Sequence, residues 1–123
     1  MNLNKHMNDG LKRSLKILKA IKIPKCSVDD VYVGTYANGR ENGLCIKVCK
    51  PDFSSHYFVF AEARGSDSMV LYEGPSEGFD SDNSPHEFAW KQATYFSDEA
   101  TLVRVLEKSI TKLLKTLGIK EAA

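Results

Sequence analysis

Apolar residues near the start of the chain recur at helical spacing. Leu11, Leu15, Leu18 and Ile21 are interleaved with Lys12, Arg13, Lys16, Lys19 and Lys22. This period predicts an amphipathic helix from about residue 9 to Lys22, with one stripe for a core and the other for water. Asn8 or Asp9 supplies an N-terminal cap, and Pro24 stops the helix because it lacks an N–H and restricts the residue before it. The mostly polar residues 1–8 are expected to fray.

The period then shortens to two. Val31 and Val33 alternate with Tyr32 and Gly34, and Leu44, Ile46 and Val48 alternate with Cys45, Lys47 and Cys49. Between these runs lie Asn38-Gly39 and Asn42-Gly43, pairs that favour tight turns, so a hairpin with a longer than minimal loop is expected. Further strands are expected over His56–Ala63, Met69–Glu73 and Phe88–Phe96. The run from Gly74 to Glu87 reads as one long irregular loop. A second helix is expected from about Asp98 to Leu117, capped by Ser97 or Asp98 and ended by Gly118. Its stripe is Leu102, Leu106, Ile110, Leu113 and Leu117, widened by Val103, Val105 and Leu114.

Helix, five strands, helix predicts an α+β fold. An antiparallel five-stranded sheet would carry the N- and C-terminal helices on one face. A length of 123 residues fits a single domain with its core over about residues 9–118. Three cysteines, Cys26, Cys45 and Cys49, are too few and odd in number for a disulfide scaffold. No continuous apolar segment suggests a signal peptide or a spanning helix, so a cytoplasmic protein without membrane association is expected.

A formal charge of +1 hides a strong polarity along the chain. Residues 1–25 carry +6, residues 26–100 carry −8, and residues 101–123 carry +3. Lys12, Arg13, Lys16 and Lys19 in the first helix therefore form a candidate surface for nucleic acid or another acidic partner. The acidic middle offers Glu73, Glu77, Asp80, Asp82 and Glu87, with Tyr72 and Phe79 as aromatic anchors, as a candidate protein-binding surface.

Catalytic motifs are weak by comparison. His56 and His86 belong to no His-Glu-x-x-His pattern. Cys45 and Cys49 on one strand face stand about 13 Å apart, too far to hold one metal ion together. Asp80 to Ser84 lacks the glycine and terminal glutamate of a calcium loop. Tyr57, Phe58 and Phe60 alternate as a base-stacking strand would, but Phe58 and Phe60 read more simply as core. No metal or cofactor is expected.

These features point to a small non-enzymatic protein-binding factor whose partner has a basic surface or cleft. An inhibitor or immunity protein that neutralises a basic enzyme is one such factor. Its build resembles that of toxin-immunity proteins in size and architecture, with no shared motif. The alternatives are a nucleic-acid-associated protein working through the basic first helix, and a small enzyme that would need Cys26, Cys45 or Cys49 beside His56 or His86.

Overall fold

Alternation in the middle of the chain sorts side chains into two sets, and a computed structural model shows where each set goes. It describes residues 9–24, 30–37, 42–52, 54–63, 68–75 and 93–119. Helix α1 (Asp9–Ala20) comes first. Strands β1 (Val31–Ala37), β2 (Asn42–Cys49), β3 (Ser55–Glu62), β4 (Met69–Pro75) and β5 (Thr94–Phe96) follow, and helix α2 (Glu99–Leu117) comes last. The strands form one antiparallel sheet in chain order. Of the expected fifth strand, Thr94–Phe96 is strand, and 88–92 lie outside the described residues.

Register decides which side chains share a face. Leu44 opposes Phe60, Ile46 opposes Phe58, Phe60 opposes Leu71, and Met69 opposes Phe96. These residues point to the helices; all but the half-buried Phe96 join Ile17 of α1, Ile21 just past its end, and Leu102, Leu106, Ile110 and Leu114 of α2 in one buried cluster. Both helices therefore cover the same face of an α+β fold. Neither described helix is long and apolar enough to cross a membrane.

The ends of α2 follow its sequence signals. The Asp98 carboxylate accepts from the Ala100 N–H at 3.1 Å and the Thr101 hydroxyl at 2.7 Å. Those bonds, the Thr101 hydroxyl first, hold its carboxyl below the usual range. Gly118 closes the helix in the left-handed region at φ 72°, where a residue with a Cβ is strained.

Helix α1 sits rotated from the expected stripe. Its fully buried positions are Ser14 and Ile17, whereas Leu11, Leu15 and Leu18 are only partly covered. Small Ser14 and branched Ile17 lie one position before Leu15 and Leu18, while Ile21 of the expected stripe is buried. This turns the leucines towards the flank of the helix.

The opposite face of the sheet is buried at its centre as well. Tyr36, Cys45, Val59, Ala61, Ala63, Val70 and Tyr72 form a second cluster, with Tyr57 packed against it. β3 is the cause: from Phe58 to Ala61 it is apolar and buried on both faces, the pattern of a strand with no solvated side there.

Gly43 lies in β2 opposite Ala61. A Cβ there would stand 2.7 Å from the Ala61 Cβ and collide with the Phe60 carbonyl oxygen. Gly34 on β1 has open space at the same position. Gly43→Ala is expected to lower the unfolding free energy by about 1–3 kcal/mol, as overpacking does, with Gly34→Ala close to wild type. Urea denaturation of the two variants checks the contrast.

Candidate functional site

The two helices are tied together by opposite charges. Arg13 Nε donates to Glu99 Oε1 at 2.6 Å, with both side chains partly buried. Lys16 Nζ lies 3.9 Å from the other oxygen of Glu99, and the Lys22 N–H donates to Glu107 Oε1 at 2.8 Å. These pairs advance in the same direction along both helices, so α1 and α2 run parallel. Glu99 is thereby held between cations at the seam, and Glu107 leans to it through a backbone N–H.

What remains outward is basic. Lys12, Lys16 and Lys19 are exposed on α1, and Arg104, Lys108, Lys112 and Lys115 are exposed on α2. The α2 residues are spaced by four, four and three, so they form one line directly opposite Leu102, Leu106, Ile110 and Leu114. A shallow cleft of about 400 Å³ lies along that line, bounded by Thr101, Arg104, Val105, Glu107 and Lys108. Of the four candidate basic residues, three are presented to solvent. Arg13 is committed to Glu99. The α2 line was visible in the helical spacing, but counting charge by segment did not place it beside α1.

A second feature lies at the β3–β4 end of the helix-covered face. His56 Nε2 is 3.1 Å from Glu73 Oε1, and the His56 ring tilts against Phe58 with centroids 5.0 Å apart. His56 and Glu73 lie diagonally across the strand pair, because His56 opposes Pro75 and Phe58 opposes Glu73. They share an open groove of about 510 Å³ with Leu71, Thr94, Phe96 and Val105. Such a groove can hold a small polar group through one imidazole and one carboxylate.

The proposed acidic surface is described only at its start. Tyr72 is 1% exposed and belongs to the second core cluster, which corrects its expected role as a surface anchor. Alternation turns it away from Leu71, and both faces of β4 are buried at that point. Glu73 is exposed and paired with His56. Glu77, Phe79, Asp80, Asp82 and Glu87 lie outside the described residues, as do Cys26 and His86.

The two described cysteines point to the face away from the helices. Burial pushes the Cys45 thiol from 9.0 up to about 12, against a smaller opposing effect of Lys47. The Ser55 hydroxyl lies 4.0 Å from Cys49 Sγ. Among the described residues, no three His, Cys, Asp or Glu side chains converge as a metal site would require. No family model, curated protein or solved structure matches the chain.

A thiol that stays protonated up to about pH 12 is a poor nucleophile at neutral pH. Cys45 is expected to resist alkylation in the native protein and to react once urea unfolds it, as mass-spectrometric mapping would show. Its raised folded value also means that its contribution to stability is complete below about pH 9 and is lost as pH rises towards 12.

Proposed function

We propose that this protein is a small binding factor that works by charge complementarity and engages the phosphate backbone of a nucleic acid through its helix layer. The observation that carries this reading is the seven-residue basic face formed by Lys12, Lys16, Lys19, Arg104, Lys108, Lys112 and Lys115. Two parallel helices present these cations on one side, while Glu99 and Glu107 are drawn into the seam. Long flexible lysines suit an evenly charged backbone, and they carry no base code of their own. Binding of this kind is sequence-tolerant and falls steeply with salt.

A second reading keeps the acidic middle as the working surface. The −8 of residues 26–100 favours a basic protein partner, with the segment from Glu73 to Glu87 entering its cleft as an inhibitor or immunity protein would. The two readings use different parts of the chain, so one set of variants separates them.

In the helix-face reading, changing Lys16, Lys108 and Lys112 together to Glu weakens binding to double-stranded DNA or RNA about tenfold or more at low salt. It also flattens the slope of log affinity against log salt by about 0.9 for each phosphate that the protein no longer neutralises. Fluorescence anisotropy across a salt series measures both, with far-UV circular dichroism confirming the fold. Wild-type protein that fails to bind either duplex at low salt would sink this reading. Capture of a basic protein from nuclease-treated lysate, abolished in Asp80→Asn/Asp82→Asn, would support the second reading in its place.

A further inference from the structure

Among the described residues, the two edges of the sheet differ. β5 offers three described residues at one edge, whereas β1 offers seven at the other, in unbroken register with β2. Natural edge strands are usually blunted by charge, proline, a bulge or shortness. β1 reads Val-Tyr-Val-Gly-Thr-Tyr-Ala and has none of these.

Hydrogen bonding fixes which backbone groups face outward. The Cys49 N–H donates to the Asp30 carbonyl at 2.8 Å, and these residues continue the β1–β2 register. Antiparallel pairs alternate between bonded and non-bonded. Tyr32, Gly34 and Tyr36 therefore bond inward to β2, and Val31, Val33 and Thr35 aim their N–H and C=O groups away from the sheet. Val33 is also 48% exposed on the helix-covered side, because α1 lies over β2 and β3 instead of β1.

We infer that the outer edge of β1 pairs antiparallel with β1 of a second copy of this chain. Pairing about a two-fold axis at Gly34 sets Val33 opposite Thr35 of the second copy and Val31 opposite Ala37 of the second copy. That register engages all seven residues and joins every outward group in about eight hydrogen bonds. Gly34 meets its symmetry mate at a non-bonded pair, where the backbones come closest, and it has open space there. The uncharged strand brings no like charges together, and Val33 loses its exposure. This self-match favours a second copy over an unrelated extended peptide. The axis is perpendicular to the sheet, so the helices of both copies lie on one side of a continuous ten-stranded sheet.

The test is the mass of the full chain by sedimentation velocity, from low micromolar to submillimolar concentration without nucleic acid. Wild type should move from monomer to dimer as concentration rises. Thr35→Pro removes an outward donor without touching the β1–β2 ladder, and Val33→Lys adds charge beside the axis. Each should weaken dimerisation at least tenfold while circular dichroism stays native. Should either variant fail to fold, hydrogen exchange of wild type supplies the readout: the Val33 and Thr35 amides should exchange more slowly at high concentration. A wild-type monomer throughout, or Val33 and Thr35 amides that exchange equally fast at both concentrations, overturns the inference. Binding of a foreign extended peptide to a monomer would do the same.

Discussion

The structure depends on β3 having no solvated side. Phe58 and Phe60 face the helices, Val59 and Ala61 face the other way, and all four are fully buried. A strand in this position needs neighbours on both edges and cover on both faces. β2 and β4 supply the edges. α1 and α2 supply one face, packing Ile17, Leu102, Leu106, Ile110 and Leu114 against Leu44, Ile46, Val48, Phe58, Phe60, Met69 and Leu71.

That use of the helices sets the electrostatics of the surface. With their inner stripes committed to β3 and its neighbours, the helices can expose only their opposite faces, where the basic residues lie. Arg13 and Glu99 meet between the helices, and the pair takes up a carboxylate that would otherwise dilute the positive face. A partly buried pair of this kind lies between an exposed bridge, worth about 0–1 kcal/mol, and a buried pair whose disruption costs about 3–5 kcal/mol. Its larger effect is arrangement: it sets two cationic lines side by side and keeps the helices parallel.

Local signals made much of this legible in the sequence. Asp98, Gly118 and the leucine spacing of α2 each act within one or two turns, so they marked its limits closely. The α1 stripe was legible in period but not in phase, because Ser14 is polar and Ile17 sits beside the leucine row. Tyr72 misled for a related reason. Alternation places a side chain on one of two faces, and it cannot say that both faces are buried. The pairings of His56 with Glu73 and of Arg13 with Glu99 span 17 and 86 residues. Strand register and helix docking create them, so no spacing in the chain announced either pair.

Equilibrium unfolding of Phe58→Asp and Val59→Asp tests the two-sided burial of β3 most directly. Each substitution places a carboxylate on a different face of the same strand. Burial on both faces predicts that each variant loses several kcal/mol or fails to fold, since each carboxylate is taken out of water. Val59→Asp within about 0.5 kcal/mol of wild type, the range usual for surface substitutions, would contradict it.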